Sequence, residues 1–135
     1  MSDDARRNFG SGGPWEALYG YARAVRVARH VHVAGTTAAQ PDGGVEGGSD
    51  VAAQMHAVLD RIEAALAQAG ARMADVVRTR IYVTPGVDTD AVGRVHGERF
   101  CQIRPASTLV VVHALVRPDL LVEVEAEAIL PAEAG

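Results

Sequence analysis

Apolar and polar residues alternate strictly along residues 121–127, and this period of two predicts a half-buried β-strand. The alternation places Glu123, Glu125 and Glu127 on a single face of that strand. Residues 103–113, just before it, contain a run of apolar β-forming residues and predict a buried neighbouring strand. A row of carboxylates on a sheet needs a structural or functional explanation.

Three further strands are predicted upstream. Residues 21–27 and residues 30–36 alternate in the same way, and the dipeptide between them is expected to join them as a hairpin. Another β-rich segment covers residues 76–83 and ends at a Thr-Pro-Gly breaker. Together with the two strands near the C-terminus, these segments predict a sheet of about five strands.

A first helix is predicted where apolar residues recur at helical spacing between residues 51 and 69. Ser49 is the expected N-cap, Asp50 falls in the first turn, and Gly70 ends the helix. The preceding residues 40–48 hold four glycines and a Pro-Asp pair, which is typical of a surface loop. The glycine pairs lack the strand-turn-helix context of a dinucleotide-binding loop.

A second helix is predicted from an Asp88 cap to Phe100, with His96 on its apolar face. Gly93 and Gly97 inside this helix each cost about 1 kcal/mol relative to alanine. We therefore expect the helix to pack closely against the sheet at these two positions.

The elements follow the order ββαβαββ, an α+β arrangement in a single domain over residues 1–135. Residues 1–20 are rich in Gly, Asp and Arg, and they are expected to form a flexible N-terminal arm without regular structure. The two helices can cover one face of the sheet, yet several strands carry apolar residues on both faces. The uncovered face predicts self-association as a closed cyclic oligomer.

Composition narrows the classes of protein. A net charge of −4 provides no overall attraction for nucleic acid or an anionic membrane, so we expect neither as a partner. No apolar run approaches the ~20 residues that span a bilayer. The single cysteine, Cys101, excludes an intramolecular disulfide framework, and no signal-peptide pattern begins the chain. A cytoplasmic location is therefore expected.

The reactive side chains exclude several mechanisms. All thirteen basic residues are arginine, so no lysine can form a Schiff base. His30 and His32 have the spacing of half a metal site, but no Cys, Asp or Glu pattern completes it, and we expect both to face solvent. We expect no metal and no cofactor. Ser107 belongs to no recognisable triad, which favours hydrogen bonding over nucleophilic catalysis, and Cys101 has no clear base partner.

Several dispersed motifs follow one another along the chain: residues 20–27, Val33-Ala-Gly-Thr36, residues 75–83, Arg104-Pro-Ala106 and Val122-Glu-Val-Glu-Ala126. Together they resemble the reactive-intermediate deaminase family, also called Rid or YjgF. The resemblance runs from about Tyr19 to Leu130 and implies a chorismate-mutase-like α+β fold. It also implies a homotrimer in which the sheets form an inner barrel, the helices lie outside, and small-molecule pockets lie between subunits.

The resemblance also implies an activity, the hydrolysis of enamines and imines to a 2-keto acid and ammonia. The family's pocket tyrosine, strand-end glycine and last-strand acid fall on Tyr21, Gly35 and Glu123. Glu123 and Tyr21 are thus the catalytic candidates, with Glu123 handling the water or the proton. Candidate substrate-binding residues are Gly35 and three more: Ser107, Arg104 and His96.

One position departs from the active deaminases of the family. Their carboxylate-binding arginine lies two residues after the proline, where this chain has Ser107. A serine offers one neutral hydroxyl in place of a permanently charged, bidentate group. Three functions stay open: hydrolysis or tautomerisation of an enamine or imine, non-catalytic or regulatory binding of a small molecule, and ribonuclease or translation inhibition. The acidic charge balance argues against the third.

Overall fold

A six-stranded sheet with helices packed on one face organises residues 5–132, the part of the chain that the computed structural model describes. The strand order across the sheet is β1-β2-β3-β6-β4-β5. Neighbouring strands are antiparallel except β4 and β5, which are parallel. The elements are β1 (Arg7–Phe9), α1 (Pro14–Tyr19), β2 (Ala24–Val27), β3 (His30–Thr36), α2 (Val51–Gln68), β4 (Val76–Val83), α3 (Thr89–Phe100), β5 (Ala106–Val111) and β6 (Val122–Ile129), with a 3-10 turn at Met73–Asp75 before β4.

The predicted α+β order is confirmed from β2 onward, and the alternation along β6 explains where the core lies. Every second residue of β6 is buried beneath α2, whereas the glutamates between them lie on the opposite face and stay partly exposed. Buried and more exposed residues also alternate along β4. Apolar residues of α2 fill the space above this face: Met55, Val58, Leu59, Ile62 and Leu66 are fully buried. No helix within residues 5–132 is both long and apolar enough to cross a membrane.

The cap of α2 lies one residue later than predicted. The carboxylate of Asp50, not the Ser49 hydroxyl, accepts hydrogen bonds from the backbone N–H groups of Ala52 and Ala53. Asp50 also has the extended backbone typical of an N-cap, which leaves Ser49 in the preceding turn. Gly70 ends the helix with a φ of 84°, as the sequence predicts.

The strand predicted to be the buried neighbour of β6 is instead an exposed edge strand. β4 lies between β5 and β6, and within residues 5–132 β5 is paired only with β4. The connection through α3 makes β5 parallel to β4 and places β5 on the side of β4 that faces away from β6. Val110 and Val111 therefore remain 41% and 59% exposed.

Two other expectations are corrected. The N-terminal arm, expected to lack regular structure, contains β1, which pairs with β2, and the short helix α1. Gly93 and Gly97 do not mark a close approach of α3 to the sheet, because a Cβ at either position would meet nothing within 4 Å. Whether the arm moves stays a prediction.

Candidate functional site

The end of β3 brings the sheet backbone close to a carboxylate. Pairing of β3 with β6 shifts register between Val33 and Thr36, so one extra residue is accommodated as a β-bulge. Gly35 lies in this bulge, and a Cβ at its position would collide with Oε2 of Glu123. A side chain at this position would displace the Glu123 carboxylate, and the glycine leaves room for it.

Glu123 is half-buried beside this bulge. Burial raises the pKa of its carboxyl above the ordinary value of 4.5, the positive charge of Arg23 opposes this increase, and the negative charge of Glu125 adds to it. A carboxyl whose pKa is raised towards neutrality is suited to both accepting and donating a proton.

An open concavity of about 380 Å³ lies in front of Gly35 and Glu123. Glu125 and Tyr82 form the rest of its polar side. The segment after β5 provides an apolar wall made of Val112, Ala114 and Leu115. The volume falls in the range of roughly 300–1,000 Å³ that is usual for small-molecule pockets.

Arg23 holds the bulge in position, although it was not among the predicted site residues. Its Nη2 donates to the Gly35 carbonyl at 2.9 Å and its Nη1 to Oγ1 of Thr36 at 3.4 Å. The guanidinium carbon lies 5.8 Å from the centre of the Tyr21 ring, within cation–π range. Tyr21 is exposed just before β2, and Arg23 connects it to the Gly35–Glu123 pair.

The other two glutamates of β6 are paired with β4 and are not free on a solvated face. The Tyr82 hydroxyl donates to Oε1 of Glu125 at 2.5 Å, and Nη1 of Arg80 donates to Oε1 of Glu127 at 2.8 Å. The hydrogen bond from Arg80 lowers the pKa of Glu127. Of the three glutamates, Glu123 is the one that packs against the bulge.

Ser107 and His96 form a second cluster, on the α3 side of the sheet. Ser107 of β5 pairs with Thr79 of β4, and the two hydroxyl oxygens lie 2.8 Å apart. Oγ1 of Thr79 also lies 2.9 Å from Nε2 of His96, whose ring packs on Phe100. Burial lowers the pKa of the His96 imidazole.

The two clusters cannot line one pocket within a single chain. Glu123 is directly opposite Tyr82 on β4, whereas Ser107 is opposite Thr79, three residues away along β4 and on the other face. Arg104 belongs to neither cluster. It is exposed in the segment just before β5, with a backbone φ of 56°. The structure thus groups Tyr21, Gly35 and Glu123 around Arg23 and separates them from Ser107, His96 and Arg104.

Sequence reasoning missed Arg23, Thr79 and Tyr82 as members of these clusters. The alternation of residues 21–27 puts Arg23 on the same side as Tyr21, which is the one signal that could have identified it. Thr79 and Tyr82 acquire their roles from strand pairing, which no local pattern encodes. His30 and His32 are exposed as predicted, and no three His, Cys, Asp or Glu side chains cluster as a metal site within residues 5–132.

Comparisons with known proteins agree with this fold. The sequence model of the family described as "Endoribonuclease L-PSP" matches residues 14–130. The uncharacterised protein SCO2049 of Streptomyces coelicolor is 41% identical over 128 residues, covering 95% of both chains. The 3-aminoacrylate deaminase RutC of Acinetobacter baylyi is 33% identical, covering 80% of this chain and 85% of that protein. The crystal structure of Rv2704 from Mycobacterium tuberculosis, described as a member of the YjgF/YER057c/UK114 family, is 50% identical with a TM-score of 0.84, covering 93% of this chain and all of that one.

Proposed function

The chain belongs to the endoribonuclease L-PSP family, the Rid or YjgF family, and from that premise we propose that it hydrolyses or tautomerises a small enamine or imine. The proposal is supported by the relative named as a deaminase of 3-aminoacrylate, which is itself an enamine. We also propose a cytoplasmic location, which agrees with the single cysteine of the chain.

The main support for the proposal is that Glu123 packs against Gly35 and that both residues line the concavity. In the first step, the oxygen of a water molecule bonds to the carbon of a protonated imine while the C=N π electrons move to nitrogen. Glu123 takes the proton that the water loses, which gives a neutral carbinolamine and a protonated carboxyl. The raised pKa of Glu123 favours this transfer because the carboxyl binds a proton more readily.

We further propose that a homotrimer completes the pocket. The concavity opens on the sheet face that α2 and α3 leave uncovered, and Ser107 is exposed on an edge strand of the opposite face. A ligand can contact both Glu123 and Ser107 only if the two residues come from different copies of the chain. An exposed edge strand is a common surface for such contacts.

A direct assay tests the role of Glu123. Imines generated in situ from amino acids by an amino-acid oxidase would be offered to the purified protein, and release of the keto acid would be followed. Glu123→Gln is expected to lower kcat by about 100-fold or more, the usual contribution of general acid–base catalysis. The matched control is Glu127→Gln on the same strand face, which should retain most of the activity. An unchanged rate in Glu123→Gln would contradict the proposal.

The neutral hydroxyl of Ser107 supports a second function, binding of a small molecule without turnover. Ser107 is already hydrogen-bonded to Thr79 and offers no charge to a carboxylate. This function predicts a rise in Tm with an imine analogue and no product formation. Ser107→Arg distinguishes the two proposals, because gain of imino-acid hydrolysis would show that the rest of the pocket is competent.

We do not propose ribonuclease activity, despite the description that the family carries. A net charge of −4 provides no overall attraction for a polyanion. Salt-sensitive cleavage of RNA by the pure protein, abolished by a point substitution, would reverse this conclusion.

A further inference from the structure

An uninterrupted line of hydrogen-bonding groups runs from the exposed edge of the sheet to helix α3. It begins at the hydroxyl of Ser107, an exposed residue of β5, passes through Thr79, and ends at Nε2 of His96. The two contacts measure 2.8 and 2.9 Å. Thr79, in the middle, is fully buried, with 0% of its surface exposed. Water therefore cannot replace its hydroxyl as the link.

Each hydroxyl has one proton to donate and can accept another, so this line can be ordered in two directions. If Nε2 of His96 is unprotonated, Ser107 donates to Thr79 and Thr79 donates to His96. If Nε2 carries the proton, the order is reversed. Only the first order lets a proton that reaches Ser107 continue to the imidazole.

The surroundings of His96 favour a neutral ring that can accept such a proton. Burial is the cause of its lowered pKa, and the Phe100 ring packs against the imidazole in a tilted arrangement with the ring centres 4.6 Å apart. Charged groups on the packed elements are directed elsewhere. On β4, Arg78 and Arg80 lie on the other face, where they contact Thr108 and Glu127, and Arg104 is exposed before β5. On α3 and α2, Glu98 and Arg99 pair with His56 and Asp60.

We propose that Ser107, Thr79 and His96 form a proton relay that serves the second half of the proposed reaction. This inference rests on the proposed function, with Ser107 of a neighbouring copy facing the pocket. Ser107 alone touches the ligand; Thr79 and His96 are positioning residues that act through it. Ser107 occupies the position at which active deaminases of the family have their carboxylate-binding arginine. The relay that begins at Ser107 moves a proton, whereas that arginine binds a carboxylate.

The second half of the reaction converts the carbinolamine to a carbonyl product and ammonia. The carbinolamine C–N bond breaks, its electron pair leaves with nitrogen, and nitrogen takes the proton that Glu123 received during water addition. The C=O bond forms as the carbinolamine hydroxyl gives its proton to Oγ of Ser107. The Ser107 proton moves to Oγ1 of Thr79, and the Thr79 proton moves to Nε2 of His96. The imidazolium then releases its proton to solvent or to ammonia.

Nitrogen-15 NMR of the His96 imidazole tests the direction of these hydrogen bonds, and the measurement does not require the protein to be active. The wild-type protein is expected to hold neutral His96 with the proton on Nδ1 and an unprotonated, hydrogen-bonded Nε2. Thr79→Val removes the donor and should reduce this tautomer. Protonated Nε2 in the wild-type protein at neutral pH would overturn the relay.

Kinetics test its use in the reaction. Thr79→Val is expected to lower kcat about 100-fold or more with little change in KM, the lower end of the range of general acid–base catalysis. A proton inventory in mixtures of light and heavy water should be curved in the wild-type protein, since several protons move together, and linear in the variant. Thr79→Ser keeps the hydroxyl and should restore both properties. Thr108→Val, on the other face of β5, is the matched control and should behave as wild type.

The outcomes separate the two proposals. Absence of turnover in the wild-type protein contradicts the proposed function and, with it, the catalytic use of the relay. Turnover that depends on Glu123 but is unchanged in Thr79→Val contradicts the relay alone.

Discussion

The three glutamates of β6 differ in chemistry because each touches a different group. Glu123 packs against the backbone of Gly35 and is desolvated, Glu125 accepts from Tyr82, and Glu127 accepts from Arg80. Desolvation disfavours the charged form of a carboxyl, whereas a guanidinium partner favours it. Glu123 and Glu127, four residues apart on one face of the strand, therefore acquire opposite pKa shifts.

These shifts predict opposite pH dependences of stability. Folded Glu123 binds a proton more readily than unfolded Glu123, so its contribution to the free energy of unfolding is present below the ordinary value of 4.5 and is lost as pH rises through the raised pKa. Glu127 has a lowered pKa, so its contribution is present above 4.5 and is lost as pH falls through the folded value.

Urea unfolding across pH 3 to 8 measures both effects. Glu123→Gln should gain stability relative to wild type as pH rises above 4.5. Glu127→Gln should be less stable than wild type near pH 7, and this deficit should disappear in acid. Parallel curves for the two variants would contradict the assigned environments.

At the level of elements, local signals specify helices and strands well and specify their neighbours poorly. The alternation of β6 predicts which of its residues face α2, and the helical spacing predicts the length of α2 within a residue or two. The apolar run of β5 indicates a strand but not its place, because an apolar run is equally compatible with a buried strand and with an edge that another copy covers. The α2 cap shows the same limit on a smaller scale, since both Ser49 and Asp50 are good caps.

Removal of the Asp50 cap should destabilise α2. Asp50→Ala should lower the free energy of unfolding by about 1 kcal/mol, because two backbone N–H groups of the first turn lose their acceptor. Ser49→Ala is the control and should leave stability almost unchanged. The comparison is made by urea unfolding at neutral pH, and a larger loss in Ser49→Ala would show that the cap is wrongly assigned.

At the scale of the whole molecule, the open face of the sheet combines the candidate pocket with exposed apolar side chains. Val27, Val110 and Ile129 lie on the same face as the glutamates and are each about 40% exposed, at 42%, 41% and 38%. Exposed aliphatic residues beside a half-buried carboxylate are explained if other copies of the chain cover this face. The proposed trimer and the proposed pocket therefore depend on the same surface.

Light scattering tests this association. The wild-type protein is expected to have three times the mass of one chain. Val110→Glu, which places a charge on the open face, should shift the mass towards that of the monomer and reduce imine hydrolysis with it. Ala67→Glu on the exposed side of α2 is the control and should keep the mass. A wild-type protein that stays monomeric at high concentration would argue against an intersubunit pocket.

The sequence by itself determined the order of elements from β2 onward, the face of β6 that carries its carboxylates, and the family, because periods of two and 3.6 and short motifs are local properties. Only the tertiary structure decided that β5 is an edge strand, that Arg23 supports Gly35, and that Ser107 is linked through Thr79 to His96 and lies away from Glu123. Strand order and cross-strand pairing depend on which surfaces bury one another over long sequence separations. Alternation places three carboxylates in a row. Their neighbours in the folded sheet make two of them, Glu125 and Glu127, hydrogen-bond partners of β4 and leave Glu123 as the candidate acid.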